Sequence, residues 1–120
     1  MQIQQFLHAA IVVSDLGRSE QFYGTVLGLT KVERNLKFPG AWYEIGGMQI
    51  HLIANQEFVA LEPIAEKWGR NRHLAFRVAD LVTVRQTLEQ HGYEYQMSAS
   101  GRPALFVQDP DGNILELGEG

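Results

Sequence analysis

The chain finishes on the stretch Asp109-Pro110-Asp111-Gly112-Asn113-Ile114-Leu115-Glu116-Leu117, which combines a turn signal with a strand signal. Proline pre-sets φ, and glycine or asparagine accepts a positive φ, so the first five residues predict a tight turn. The residues after the turn alternate as in a half-buried strand, with Leu115 and Leu117 on one face and Glu116 on the other. A carboxylate in such a strand is costly to bury unless a cation or a metal ion meets it. The rest of the chain must supply a partner for Glu116.

An internal repeat with an offset of 65 residues indicates where that partner lies. The nine residues that begin at His8 align with the nine that begin at His73, and both segments end in Asp-Leu. The same offset carries His51 to Glu116. The sequence therefore predicts a duplicated unit, and each copy carries a metal-competent side chain on its first strand and on its last.

Each copy is predicted to have the order β-α-β-β-β, which gives an α+β fold. The expected elements of the first copy are a strand over 3–13, a helix over 16–27 that ends at Gly28, and strands over 30–36, 41–45 and 48–53. Those of the second copy are a strand over 73–79, a helix from the N-cap Asp80 to His91, and strands over 93–98, 104–108 and 114–117. We expect one domain over 1–120, with module 1 at 1–54, a linker at 55–72 that contains a short helix near 63–68, and module 2 at 73–120.

The period of two in the strands places four polar side chains on the sheet faces that the helices leave uncovered: His8, His51, His73 and Glu116. Pairing two such units would close a barrel-like cavity with all four pointing inward. Three neutral imidazoles and one carboxylate suit Zn²⁺, Ni²⁺, Co²⁺, Mn²⁺ or Fe²⁺, and such a cation would offset the burial of Glu116. Two alternatives remain open: His51 could lie beside the ligands rather than among them, and Glu116 could be a plain salt-bridge partner.

Composition excludes several classes of function. A net charge of −4 without a basic cluster argues against nucleic acid and against an anionic membrane surface. No apolar run reaches membrane-spanning length, and the N-terminus does not read as a signal peptide. With no cysteine, the chain has no disulfide, thiolate zinc site or cysteine nucleophile. A cytoplasmic protein is the expectation.

The two modules resemble the vicinal oxygen chelate superfamily, which includes glyoxalase I, fosfomycin-modifying thiol transferases, extradiol dioxygenases and bleomycin resistance proteins. The likeness rests on the two histidine starts, the helix with Asp15-Leu16-Gly17-Arg18-Ser19 and Phe22-Tyr23, and the finish from Asp109 to Glu116. It implies a glyoxalase/bleomycin resistance/dioxygenase-type barrel with the metal on the four positions named above. It also implies a homodimer with sites at the interface and a small-molecule substrate.

Within that family the resemblance leaves three functions open. The first is a glyoxalase I-like lyase or isomerase that chelates vicinal oxygens of a small carbonyl compound or its thiol adduct, with Glu116 as the base. The second is an Fe(II) extradiol-type dioxygenase using two histidines and Glu116, and the third is a non-catalytic binding or resistance protein. Thiol transferases of the family carry threonine where this chain has Ala10, which counts against that activity.

Three further residues are candidate substrate contacts. Arg77 shares a face with His73 and could bind an anionic group, or could be an arginine at the barrel rim. Trp42 could form the wall of an apolar pocket, or could simply pack in the core. Asn55 matches a glutathione contact of glyoxalase I, a match that the resemblance alone supplies.

Overall fold

The computed structural model describes residues 1–120, which divide into two compact units, Met1–Val59 and Ala60–Gly120. The first unit contains β1 (His8–Val13), α1 (Leu16–Glu20), a π-helical segment (Gln21–Val26), β2 (Thr30–Val32), β3 (Gly40–Ile45) and β4 (Met48–Ala54). The second contains a 3₁₀ turn (Trp68–Arg70), β5 (His73–Arg77), α2 (Leu81–Gln90), β6 (Tyr95–Met97), β7 (Ala104–Gln108) and β8 (Ile114–Gly118). The predicted β-α-β-β-β order and the α+β class are confirmed in both units. No helix is long and apolar enough to cross a membrane.

Each unit forms one four-stranded sheet in which the first and last strands are neighbours. The strand orders are β1-β4-β3-β2 and β5-β8-β7-β6, and only the β1–β4 and β5–β8 pairs are parallel. In the first unit Ala10 pairs with His51, and in the second Ala75 pairs with Glu116. His8 therefore lies diagonally across from His51, and His73 lies diagonally across from Glu116.

In β1 and around Glu116 in β8 the two faces of the sheet differ in burial as the period of two predicts, whereas residues 104–107 of β7 are buried on both faces. In β1 the side chains of Ile11 and Val13 are buried, whereas His8 and Ala10 are exposed. In β8 Leu115 and Leu117 are buried, whereas Glu116 is half-buried. The largest fully buried side chains are Phe22, Tyr23, Tyr43, Ile50 and Leu52 in the first unit and Leu88, Leu105, Val107 and Leu115 in the second. Most of the core thus lies on the apolar faces, and the candidate ligands lie on the opposite faces together with the buried side chain of Phe106.

Two strands of the first unit are shorter than predicted. The first strand begins at His8 rather than near residue 3, because its partner β4 begins at Met48 and is preceded by a tight turn at Gly46 and Gly47. Residues further upstream have no strand to pair with, and the last contact is Gln49 N–H donating to the Leu7 carbonyl at 3.1 Å. The second strand likewise ends at Val32, where its pairing with Trp42 stops.

The helix predicted over 16–27 forms, but it changes type midway. Asp15 caps α1 by accepting a hydrogen bond from Arg18 N–H at 3.1 Å. From Gln21 onward the segment is π-helical, and Leu27 N–H donates to the Phe22 carbonyl five residues earlier at 2.9 Å. The wider turn buries Phe22, Tyr23 and Val26 together, and Gly28 ends it with φ at 73°. Such wider turns keep a helix while shifting the face that it buries.

The short helix predicted near 63–68 is wrong, because a side chain organises this loop instead. The buried amide of Asn71 accepts from the backbone N–H groups of Ile64 and Ala65 and donates to the carbonyls of Ala65, Lys67 and Trp68. Those backbone groups are therefore satisfied without a helix. Only the 3₁₀ turn at Trp68–Arg70 remains, immediately before β5.

The turn before β8 adopts a closed form built on Asp109. Its Oδ1 accepts from the N–H groups of Asp111 and Asn113, each at 2.9 Å, and its Oδ2 accepts from Asn113 Nδ2 at 2.8 Å. Gly112 has φ at 86°, and a Cβ there would lie 2.2 Å from the carbonyl oxygen of Leu61. The turn therefore needs glycine both for its backbone conformation and for the close approach of the Leu61 segment.

A strained backbone conformation usually costs about 1–3 kcal/mol. We expect Gly112→Ala to lower the free energy of unfolding by more than this, because the new methyl group also collides with the Leu61 carbonyl. Gly92→Ala is the matched control, because Gly92 has φ at 77° and a Cβ there would meet no atom within 4 Å. Urea unfolding of both variants measures the difference. Equal losses would contradict the close approach at Leu61.

Candidate functional site

The pair in the second unit consists of His73 and Glu116. Nε2 of His73 lies 3.2 Å from Oε1 of Glu116, and the other carboxylate oxygen, Oε2, lies 3.3 Å from NH1 of Arg102. The side chains of His73 and Glu116 are 24% and 15% exposed, so both remain accessible from the uncovered face. The ring of Phe106 meets His73 edge-on, with ring centroids 5.5 Å apart. The strand register and the Phe106 ring thus place an imidazole opposite a carboxylate.

The loop before β5 determines which nitrogen of His73 faces Glu116. Nδ1 of His73 lies 2.7 Å from the carbonyl oxygen of Asn71, and a carbonyl can only accept, so Nδ1 carries a proton. In the neutral ring the lone pair is then on Nε2 and is directed at Glu116. A metal-binding histidine usually donates its other N–H to a carbonyl or carboxylate in this way. Asn71 therefore both shapes the loop and orients the ring.

This pair fits a divalent cation. A lone pair on Nε2 and a carboxylate oxygen repel each other unless a proton or a metal ion lies between them. Two ligands of one zinc-like ion, each about 2.0–2.2 Å from the metal, lie roughly 3 Å apart. The observed separation of 3.2 Å agrees with that spacing. The same spacing also suits an ion pair between an imidazolium and a carboxylate, and Glu116 forms a second ion pair with Arg102, so the geometry is compatible with a metal ion but does not require one.

The pair in the first unit consists of His8 and His51, and its arrangement is different. The two rings stack with centroids 4.0 Å apart and an interplanar angle of 17°, and the indole of Trp42 stacks on the other side of His51 at 3.8 Å and 5°. The guanidinium of Arg34 covers Trp42 at 4.4 Å from the ring. Nε2 of His51 lies 2.7 Å from Oε1 of Gln49. His51 is therefore buried within a column of four stacked groups.

This stack is not itself a ligating arrangement. An imidazole binds a metal ion in the plane of its ring, and two nearly parallel planes about 4 Å apart share no such point. For both rings to bind one ion, one of them has to rotate and His51 has to release Gln49 if Nε2 is the ligating atom. The closely spaced imidazoles do provide two suitable nitrogen donors.

The four predicted ligands thus occur as two pairs, one in each unit. No group of three or more histidine, cysteine, aspartate or glutamate side chains that could hold a metal ion is present in the chain. The parallel pairing of first and last strands accounts for each pair. The complete set of four stays a prediction.

The three predicted substrate contacts lie in different surroundings. Arg77 is exposed at the end of β5, four residues beyond His73 on the same face. Trp42 is part of the stack, and its buried Nε1 has no hydrogen-bond partner. Asn55 lies just after β4, where its Oδ1 accepts from Glu57 N–H at 3.0 Å and so stabilises a turn.

Four polar residues near the pairs were not predicted as site residues: Gln49, Asn71 and Arg102 contact a member of a pair, and Arg34 covers Trp42. Gln49 lies two positions before His51, so the period of two already placed it on the same face. The other three act from loops, and two of them, Arg34 and Arg102, occupy the loops that precede β3 and β7. Loop conformation is not encoded in hydrophobic periodicity, so no pattern in the chain pointed to them.

A family model described as the Glyoxalase/Bleomycin resistance protein/Dioxygenase superfamily matches residues 5–117, a range that includes both pairs. The chain belongs to this superfamily. Among its relatives, a glutathione transferase, FosA, from Serratia marcescens is 31% identical over 96% of this chain and 80% of its own length. Glyoxylase I 4 from Arabidopsis thaliana is 28% identical over 92% of this chain and 67% of its own length.

Solved structures of the superfamily agree with the fold. The crystal structure of a glyoxalase family protein from Enterococcus faecalis matches with a TM-score of 0.76 and 28% identity, and the match covers 99% of this chain and 100% of that one. Superfamily members bind small molecules and include enzymes such as glyoxalase I and FosA, and many use a divalent metal ion. Family membership is therefore shown, and the predicted resemblance is confirmed.

We expect His51 to titrate below the ordinary histidine value. Its pKa is lowered first by burial of the ring and then by the positive charges of His8 and Arg34. Because the folded-state pKa is depressed, the stability that goes with a neutral His51 is complete above the unfolded value of about 6.5 and is lost as the pH falls through the folded value. Histidine NMR titration should show this shift, and Arg34→Gln should raise the pKa of His51. An ordinary or raised pKa would contradict the stacked arrangement.

Proposed function

We propose that the protein is a metal-dependent lyase or isomerase of the glyoxalase I type that acts on a small carbonyl compound or its thiol adduct. The observation that carries the proposal is the oriented His73–Glu116 pair, whose donor atoms lie 3.2 Å apart on the accessible face. The relatives support the substrate class, since one is named a glyoxylase I and another a glutathione transferase.

In this proposal a divalent cation (Zn, Ni, Co, Mn or Fe) is held by His8, His51, His73 and Glu116. When bound, it supplies Lewis-acid stabilisation of the negative charge that develops on a chelated substrate oxygen. Asn71 keeps the Nδ1 proton of His73 in place, so the ring presents Nε2. Burial of the ring and the nearby charges of His8 and Arg34 lower the pKa of His51, which favours the neutral imidazole that metal binding would require.

Glu116 is also the proposed general base, a role that it could take only when displaced from the cation, since a ligating Oε1 and an Oε2 held by Arg102 would leave no oxygen free for a proton. Its carboxylate is partly exposed and lies on the uncovered face, within reach of a substrate held at the pair. It would take the proton from the carbon next to the carbonyl group and return it to the neighbouring carbon. The reaction is then a net isomerisation that needs no external oxidant or reductant.

Arg77, Trp42 and Asn55 remain the proposed substrate contacts. The guanidinium of Arg77 has no ion-pair partner of its own, which leaves it available for an anionic group on the substrate. The indole Nε1–H of Trp42 is a buried hydrogen-bond donor that has no acceptor. An oxygen atom of a bound molecule could accept this hydrogen bond. Asn55 would have to release its turn contact with Glu57 before it could bind glutathione.

We further propose that the four ligands meet in a homodimer with sites at the interface. Two ligands are too few for a structural or catalytic metal site, so each unit requires another. The segment before His8 exposes the apolar side chains of Met1, Ile3, Phe6 and Leu7 in the single chain, which a second copy could cover. On this view modules 1 and 2 belong to one functional domain.

Complementation tests the interface. One variant would lack the first pair (His8→Ala with His51→Ala) and a second would lack the other pair (His73→Ala with Glu116→Gln). Neither should bind metal alone, but co-expression should restore roughly a quarter of the wild-type metal content, since about half of the dimers are mixed and each mixed dimer has one complete site. A site formed within one chain would give no recovery.

The dioxygenase alternative keeps one observation in its favour. His51 is stacked between two rings and its Nε2 is engaged by Gln49, so the ligand set could reduce to His8, His73 and Glu116. Two histidines and one carboxylate with open positions are typical of non-haem Fe(II) oxygenases. In that case the bound metal would be iron, and its occupancy would be sensitive to oxygen.

Elemental analysis of the tag-free protein distinguishes these functions. We expect about one Ni, Zn, Co or Mn ion per chain, strongly reduced in His73→Ala and in Glu116→Gln. It should be retained in His91→Ala, whose histidine is the C-cap of α2. Hemithioacetal isomerisation should be lost in the same two variants. Iron would favour the dioxygenase, whereas no metal before or after addition would leave only a non-catalytic binding protein.

A further inference from the structure

Arg102 lies in the loop between β6 and β7, beside the carboxylate of Glu116. Its NH1 donates to Oε2 of Glu116 at 3.3 Å, while Oε1 of the same carboxylate faces Nε2 of His73 at 3.2 Å. The two oxygen atoms of Glu116 are thus divided between a guanidinium and an imidazole. Only one of them, Oε1, is directed at the position that a metal ion would share with His73.

The guanidinium is held from its other side by its own loop. Nε of Arg102 donates to Oγ of Ser100 at 3.2 Å, and that hydroxyl lies 2.9 Å from Oγ of Ser98. The loop is closed by Ser98 N–H donating to the Ala104 carbonyl at 2.9 Å and by Ala104 N–H donating to the Arg102 carbonyl at 2.7 Å. Arg102 therefore connects a closed hairpin loop to the carboxylate through two separate donors.

Stability does not account for this contact. The side chain of Arg102 is 57% exposed, and exposed ion pairs contribute little to the free energy of unfolding. What the contact does change is orientation, since a carboxylate without it can rotate about its terminal bond and present either oxygen or both. The chief consequence of Arg102 is the choice of oxygen.

We propose that Arg102 is the positioning residue of the metal centre. It holds Oε2 of Glu116 so that Oε1 alone is presented beside His73, and Ser100 holds Arg102. The inference rests on the proposed role of Glu116 as a metal ligand and extends it to a residue that does not itself ligate.

Simple electrostatics and positioning predict opposite effects on metal affinity. A guanidinium near a divalent cation repels it, so its removal should tighten binding if charge were the only effect. If Arg102 orients Glu116, its removal should instead weaken binding, since residues that orient metal ligands typically contribute about 10–100-fold in affinity. The sign of the change therefore decides between the two.

The experiment measures the dissociation constant of Co²⁺ for the tag-free protein by competition with a chelator, and follows the Co²⁺ absorption spectrum. Arg102→Gln should bind Co²⁺ about 10-fold or more weakly, with a changed spectrum. Arg85→Gln is the matched control, since it removes the same charge from an exposed arginine of α2 that contacts Tyr95, and its affinity should equal that of the wild type. Unchanged or tighter binding by Arg102→Gln would overturn the proposal.

Two further variants separate geometry from charge. Lysine keeps the charge but lacks the fork needed to contact Ser100 and Glu116 together, so Arg102→Lys should give an intermediate loss, and Ser100→Ala a smaller loss in the same direction. Wild-type affinity in Arg102→Lys would also overturn the proposal. Thermal unfolding should shift by only a few degrees in all variants, which confirms that they fold. If the wild type binds no Co²⁺, the proposed metal-dependent function is overturned as well. If the wild type binds Co²⁺ and Arg102→Gln binds it equally well, only the inference about Arg102 is overturned.

Discussion

The parallel pairing of the first strand of each unit with its last strand is the constraint on which the candidate site depends. Parallel neighbours cannot be joined by a hairpin, so a longer connection, here a helix and two strands, lies between them in the sequence. This is why His8 and His51, and likewise His73 and Glu116, are adjacent in space although 43 positions separate them in the sequence. Side chains of neighbouring strands share a face only when the register is right, and a slip of one residue would turn Glu116 into the apolar core. The buried leucines on either side of Glu116 hold that register. The geometry of the pair is thus a consequence of how the core packs.

The same fold produces two chemically different pairs. In the second unit an imidazole faces a carboxylate, and the loops before and within the sheet fix both: the Asn71 carbonyl fixes the ring and Arg102 fixes the carboxylate. In the first unit two imidazoles face each other, and neither can neutralise the other. Instead, the ring of His51 stacks between the rings of His8 and Trp42, and its Nε2 contacts the side chain of Gln49. His73 and Glu116 already present donor atoms 3.2 Å apart, whereas His8 and His51 would have to leave their stacked arrangement before both could bind the proposed metal ion.

The repeat and the period of two were enough to predict the element order, the α+β class and the face on which His8, His51, His73 and Glu116 lie. They work because burial of one sheet face is a property of the sequence pattern itself. Strand ends were less accurate: β1 begins opposite the start of its partner β4, which depends on a neighbour rather than on local sequence, and β2 ends at Val32 although its partner β3 continues to Gly40. The loop at 63–71 escaped prediction because one asparagine side chain satisfies its backbone. For the same reason the contacts of Arg34 and Arg102 could not be predicted, since both arginines act from loops whose conformation is set by tertiary hydrogen bonds.

The duplication also bears on how function could depend on assembly. Most of the core of each unit lies on the other side of the sheet from the pair, although Phe106 and the buried ring of His51 also pack on the side of the pair. A unit that carries two ligands cannot form a closed coordination shell alone, since two ligands are too few. If the proposed metal centre is correct, folding and metal binding are therefore separable here, unlike in small domains whose fold requires the metal. Loss of a ligand should then cost activity and metal content with little cost to the fold, whereas loss of the turn at Gly112 should cost the fold first and the site as its consequence.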